Sequence, residues 1–511
     1  MRLILLTLIT LQISLTESFA QQSSAVVQER EIIDQDIENQ IKRIEKGLPE
    51  ITQNGDTLQY SLTEWMDKLA IPGVSIAVID DYEIVWAKGY GITSKGSERS
   101  PISTETIFQA GSIAKPVTAL GVLHYVDRGT FDLDTDINSY LKSWTLPDST
   151  TKRNVKIRQL LAHTGGISPG GFGGYGRTEK LPDILQILSG RSPARNNPAE
   201  IVEEPGNRVM YSGLGYTILQ HTLEEQLNKP FEKIMKASVF KPLELDNSAF
   251  KENLPDEFAS KVALGHYYMG DVVQGGWDRY PEMAAAGLWS TPTDLANLII
   301  EVAKSKAGKS NKILSTETAK LMLATHKDHM GLGFVVKPEH DGYFAHAGLN
   351  NGYYSYFEMY ADKGKGAVIM TNSNNGQLIW NLIFTSLARE YDWPGANERS
   401  INNSYRQRLF EQVHNVESPR VIDEVDPDIL TKYTGTYELG TGFNFVITFN
   451  GDQLKMKLGD QRQLNLYPES KTKFFTKAVD AQLSFITNDE GQTEYLILHQ
   501  NGRETKAKKI K

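Results

Sequence analysis

The 511-residue chain contains no cysteine. That single absence excludes thiol catalysis, cysteine-ligated zinc, iron–sulfur clusters and disulfides. Positive charge is also short, with 54 Lys and Arg against 63 Asp and Glu and a formal net charge of −9. A nucleic-acid partner requires a basic face that replaces phosphate counterions, and the charge balance argues against one. The one basic run, Arg503 to Lys511, reads as a solvated terminal strand and tail. Long apolar runs are missing too. The stretch from Leu3 to Leu15, broken only by Thr, Gln and Ser, is too short for a helix that spans a bilayer. It follows Met1-Arg2 and precedes Ser18-Phe19-Ala20, the pattern of a secretory signal peptide cleaved near Ala20. The expected compartment is therefore periplasmic or secreted, with no stable membrane span and no cysteine to carry a lipid anchor. With 40% apolar and 23% charged residues, the chain can bury a large core without disulfide support.

What is present divides the chain. Ile33, Ile37, Ile41, Ile44 and Leu48 recur at spacings of four, four, three and four, one face of a helix within residues 26–48. Such a stripe packs on the main domain or on a second copy, so residues 21–54 read as an amphipathic helical extension. Val74 to Ile79 and Glu83 to Trp86 flank Asp80-Asp81, a hairpin signal. Helical periodicity then dominates to about residue 330, and strand character returns at Tyr343 to Met359 and Gly366 to Met370. Strands at both ends of a helical middle predict an α+β domain over 55–393, with an antiparallel sheet flanked by helices. The polar stretch 394–425 reads as a linker. Residues 426–511 contain eight short strand-like runs separated by turns such as Asn450-Gly451, which predicts a small antiparallel β-barrel or sandwich.

A serine at a helix start with a lysine three residues on places an ammonium beside a hydroxyl, where the helix dipole favours negative charge. Six Ser-x-x-Lys tetrapeptides occur: Ser112/Lys115, Ser139/Lys142, Ser149/Lys152, Ser238/Lys241, Ser248/Lys251 and Ser470/Lys473. Only Ser112 follows a strand-like approach to glycine, Phe108-Gln109-Ala110-Gly111, and opens an apolar-periodic helix. Two other patterns carry less. Gly171-Phe172-Gly173-Gly174-Tyr175-Gly176 is formally a dinucleotide fingerprint, but it follows a helical run instead of a strand. It reads as a loop beside the pocket, with Phe172 and Tyr175 as substrate contacts. His326, His329, His340 and His346 lack the carboxylate spacing of a metal site, so no metal or organic cofactor is expected. His163, in Leu-Leu-Ala-His-Thr-Gly-Gly, reads as a hydrogen-bonded structural residue.

Five segments in order resemble the serine β-lactamase and penicillin-binding protein group, in its class C β-lactamase, D,D-peptidase, D-aminopeptidase and esterase branch. They are Phe108 to Lys115, Ile157 to Ile167, Pro205 to Tyr216, Ala286 to Thr291 and His346 to Gly352. The resemblance implies a β-lactamase/transpeptidase-like fold with an all-helical subdomain, followed by a lipocalin-like barrel. It implies that Ser112 attacks an amide or ester carbonyl and forms an acyl-enzyme, with Lys115 and Tyr211 managing the serine proton. Which of the two is the base stays open, since a tyrosine near pKa 10 serves only if cations depress it. The resemblance also makes the Ser112 and Leu349 amides the oxyanion hole, and Ala347 and Gly348 part of the substrate-binding wall.

Two departures bear on substrate. His346 stands where β-lactamases usually carry lysine, and a neutral imidazole draws a substrate carboxylate less than an ammonium does. Gly213 stands where many relatives have an asparagine that binds the substrate amide. The reading is an exported serine hydrolase of small peptides, D-amino-acid derivatives or esters, cell-wall-derived fragments among them. Its alternatives are a β-lactamase and a non-catalytic penicillin-recognising binder or sensor. A homo-oligomer would form through residues 26–48 or the C-terminal domain.

Overall fold

The structure, a computed structural model, describes residues 35–511 apart from 97–98, 149–153, 169, 255–257, 259, 440–443, 460–462 and 501–502. The expected signal peptide, Ile33 and the Ser149/Lys152 pair lie outside the described residues. Six antiparallel strands form the main sheet: β1 (Gly73–Asp80), β2 (Glu83–Gly91), β3 (Val335–Lys337), β4 (Tyr343–Asn350), β5 (Tyr353–Tyr360) and β6 (Lys365–Thr371), in the order β2-β1-β6-β5-β4-β3. The junction is β1 against β6, where Val74 to Ile79 pair with Gly366 to Thr371. Segments from the two ends of the domain thus complete one sheet, as an α+β arrangement requires. The β1–β2 hairpin turns at Asp81 and Tyr82, both at positive φ, one residue later than the Asp80-Asp81 expectation. The Tyr82 hydroxyl donates to the Ala361 carbonyl and its amide donates to Gly364, contacts that offset its left-handed backbone.

Both faces of the sheet are covered, which is why its strands read as apolar runs with little alternation. Ala77, Ile79, Phe357 and Met370 face a core shared with α1 (Ala114–Val126), α2 (Gly213–Leu227), α3 (Met283–Ala286) and α4 (Pro292–Lys306). Val74, Ile76, Val78 and Ile369 face a second core closed by α5 (Gly376–Glu390). Every residue of α1 from Ala114 to Leu123 is buried, so this helix has no polar face and runs through the middle of the first core.

The amphipathic extension is a helix over 35–46, and its stripe faces its own domain: Ile44 and Leu48 are buried and Ile37 and Ile41 half-buried in the second core. The stretch expected as a linker departs from that reading. It holds α6 (Asn403–Glu417), whose Tyr405, Leu409 and Val413 are buried in the same core. The stripe is too narrow to show against the surrounding polar residues.

The last strands are β7 (Gly435–Glu438), β8 (Asn444–Phe449), β9 (Leu454–Leu458), β10 (Leu464–Pro468), β11 (Lys473–Thr476), β12 (Ala481–Thr487), β13 (Thr493–Gln500) and β14 (Arg503–Lys509). They form a closed barrel with Tyr437, Phe445, Leu466, Phe474 and Leu483 inside. The basic run is the closing strand β14, in which only Ala507 is buried. Among the described residues no helix is long and apolar enough to cross a membrane.

Candidate active site

The nucleophile candidate sits on a tight strand-to-helix transition. Phe108–Gln109 pairs with Leu288–Ser290 at one end, and a single 3₁₀ turn, Gly111–Ile113, leads into α1. Gly111 has φ +54°, and a Cβ there would lie 2.6 Å from the Leu349 amide nitrogen, so both the backbone and the close approach demand glycine. One helical step on, Lys115 Nζ stands 3.0 Å from Ser112 Oγ and donates to the Ala285 carbonyl at 2.9 Å. Both partners are neutral. Lys115 is buried and, with no anion among the described residues to hold its proton, is pushed down to about 7 by desolvation.

Tyr211 closes the group from the loop before α2. Lys115 Nζ lies 4.8 Å from the centre of its ring. The residue leaves 45% of its surface exposed, but its hydroxyl end turns inward to bond the Ser112 side chain. There desolvation pushes it up to about 12 against the lowering effect of that bond. Burial therefore outweighs the expected mutual stabilisation of a cation and a phenolate, and Lys115 and Tyr211 are both held toward their neutral forms. His163 backs the tyrosine ring, with centroids 4.2 Å apart. It accepts from the Ser212 amide through Nδ1 at 3.1 Å, the structural bond expected of it. This acceptor role puts the ring proton on Nε2, which is buried without a partner among the described residues. The residue also carries φ +56°, a strained conformation that the surrounding structure has to impose.

His346, on β4, is buried beside Lys115, and desolvation, with that lysine's charge second, pushes it down to about 3. Its Nδ1 and the Ala347 carbonyl are 2.6 Å apart. The imidazole is neutral at ordinary pH. Farther along β4, Ala347 and Leu349 point outward and Gly348 inward. A Cβ on Gly348 would lie 1.9 Å from the Ala110 carbonyl oxygen and 3.1 Å from the Ser112 nitrogen. The Gly111 and Gly348 contacts put the Ser112 and Leu349 amides at one junction, the arrangement an oxyanion hole needs.

Gly213 is explained by its neighbours. A Cβ there would meet the Gly170 carbonyl at 2.5 Å and the Phe172 ring at 2.6 Å, so the glycine-rich loop occupies the space an asparagine would take. That loop walls a cavity of about 490 Å³ lined by Phe172, Tyr175, Arg195, Tyr280, Glu282 and Leu349, with Leu464, Ala478 and Val479 of the barrel opposite. Phe172 and Tyr175, expected as substrate contacts, thus share a cavity with Leu349.

Ser112, Lys115, Tyr211 and His346 come together as the sequence led us to expect. The competing pairs do not: the hydroxyls of Ser238, Ser248 and Ser470 bond Ile234 O, the Asp294 carboxylate and backbone amides of Thr472 and Lys473. His326 bonds the Leu321 carbonyl and His340 is exposed, and among the described residues no three metal-binding side chains gather. Sequence reasoning missed the Ala285 carbonyl, Asn350, which donates to Gln109 Oε1 and Ala286 O, and Glu282. The available signal was a lone acid before the apolar run Met283-Ala284-Ala285-Ala286, a charge entering a buried segment.

Comparison with known proteins bears on the fold and the family. Penicillin-binding protein 4 of Amycolatopsis lactamdurans is 26% identical over 350 residues, covering 63% of this chain and 84% of that protein. The octameric penicillin-binding protein homologue from Pyrococcus abyssi superposes with a TM-score of 0.54 at 22% identity, over 88% of this chain and 98% of that one. EstCE1, a hydrolase with promiscuous acyltransferase activity, superposes at 0.56 with 18% identity, over 70% of this chain and 99% of that one. Residues 419–509 match a domain of unknown function, DUF3471. Residues 58–379 match the Beta-lactamase family, and with that span covering more than half of the molecule and all four converging side chains, the chain belongs to that family.

Proposed function

We propose that the protein is an exported serine hydrolase that transfers an acyl group from an amide or ester to water through an acyl-enzyme on Ser112. One observation carries the reading: a buried lysine, with no counter-anion among the described residues, 3.0 Å from the hydroxyl it would deprotonate. A serine hydroxyl attacks only if a neighbour takes its proton, and an amine held near 7 is available for this at ordinary pH. Lys115 is then the base. Tyr211, held protonated, passes a proton to the leaving group and is reprotonated from Lys115. Water repeats the cycle on the acyl-enzyme. The Ser112 and Leu349 amides hold the oxyanion, a contribution worth roughly 2.7–4 kcal/mol per donor in a comparable site.

The substrates that fit are small peptides, D-amino-acid derivatives and esters. A penicillin fits less well, because the neutral His346 offers its carboxylate no cation and the loop fills the place of the amide-binding asparagine. The test is intact mass after incubation with a fluorophosphonate and, separately, a penicillin. One fluorophosphonate adduct is expected on the wild type and none on Ser112→Ala. An unlabelled wild type, or a labelled Ser112→Ala, would overturn the reading.

A further inference from the structure

The cavity beside Leu349 contains a carboxyl group that the reaction does not use. Glu282 is 1% exposed, and among the described residues its Oε2 has no hydrogen-bond partner. Leaving a buried polar atom unpaired costs roughly 1–3 kcal/mol and more for a charge, so the group needs an explanation beyond packing. It lines the cavity with one other charged side chain among the described residues, Arg195, whose charge acts on it from a distance without a hydrogen bond. Arg195 itself bonds Glu179 at 2.7 Å and the Gly174 carbonyl at 3.1 Å, and lies over the Tyr175 ring. The cavity therefore holds one acid with an oxygen left unbonded, among aromatic walls, surroundings that suit a cationic hydrogen-bond donor.

Position relative to the reacting atoms says which part of the substrate is met. The cavity includes Leu349 but neither Lys115 nor Tyr211, the two groups that move the leaving-group proton. Lying on the Leu349 side and away from those two groups, it is the side assigned to the acyl part. We propose that Glu282 anchors a primary ammonium on the acyl part of the substrate, making the enzyme selective for amino-acid amides and esters with a free amine. This rests on the acyl-enzyme reading for the word substrate, while the binding site itself stands on the cavity. Burial, opposed by its own backbone amide and by Arg195 and aided by Glu252, pushes the Glu282 carboxyl up to about 8, and a bound ammonium would draw it into the ionised form.

Calorimetry on full-length Ser112→Ala, with alaninamide and N-acetylalaninamide in both enantiomers as probes, tests the anchor without turnover. The free amine should bind at least tenfold more tightly than its acetylated form, and Glu282→Gln in the same background should erase the difference. Equal binding of the two forms to Ser112→Ala overturns the proposal, whether or not the second variant folds. So does a preference that survives Glu282→Gln. If instead the wild type forms no adduct on Ser112 while amine selectivity still depends on Glu282, the hydrolase reading fails and the anchor stands.

Discussion

At the scale of single residues, the proposed hydrolysis turns on the ionisation of Lys115. With the amine near 7 and acting as base, kcat/KM for an ester should rise about tenfold per pH unit below pH 7 and level off above it. A pH–rate profile checks this, and an inflection that stays put in Tyr211→Phe assigns it to the lysine. The same shift has a consequence for stability. The folded value lies below the ordinary 10.5, so between pH 7 and 10.5 the unfolded chain holds the extra proton and stability rises with pH. Below pH 7 the buried ammonium imposes its full cost. Lys115→Met should therefore melt above the wild type at pH 6, and the gap should shrink toward pH 10, while activity falls roughly 10²–10⁴-fold. Differential scanning calorimetry at the two pH values reads it. The four expected side chains were legible because their motifs are local; Glu282 and Ala285 were not, because a lone acid and a backbone carbonyl leave no periodic mark.

At the scale of elements, the site depends on how closely β4 approaches the turn before α1. Gly348→Ala inserts a methyl 1.9 Å from the Ala110 carbonyl, which forces strand and turn apart. Its kcat should drop by about 10² or more, in line with loss of an oxyanion donor, with the Lys115 inflection still near 7. The other element to probe is α6. Leu409 is fully buried, so Leu409→Ala should cost about 2–5 kcal/mol in urea denaturation. A variant with the wild-type urea midpoint would restore the linker reading of 394–425. The eight barrel strands were legible almost residue by residue because turn residues punctuate them. The 403–417 helix was hidden because Tyr405, Leu409, Phe410 and Val413 mark its apolar face among polar and charged neighbours.

At the scale of the molecule, the barrel is part of the pocket. Leu464, Ala478 and Val479 complete the cavity wall, and Lys477 bonds Asp271 of the hydrolase domain at 3.1 Å. A chain ending at residue 425 should keep fluorophosphonate labelling of Ser112 but lose discrimination between small and bulky acyl groups, measured as the ratio of kcat/KM across an ester series. Unchanged discrimination would reduce the barrel to a packing module.

The adjacency of Ser112 and Lys115 was determined by sequence alone, because a helical turn brings positions three apart together whatever surrounds it. So were the strand-rich ends, the helical middle and the barrel, since period and turn residues act locally. The tertiary structure decided the rest. Whether Lys115 is a cation or a base depends on desolvation by α3, β4 and the Tyr211 loop, elements remote from it in the chain. Whether Gly213 is a loss or a fit depends on a loop that folds back over it. Burial sums over distant neighbours, and no local pattern records that sum.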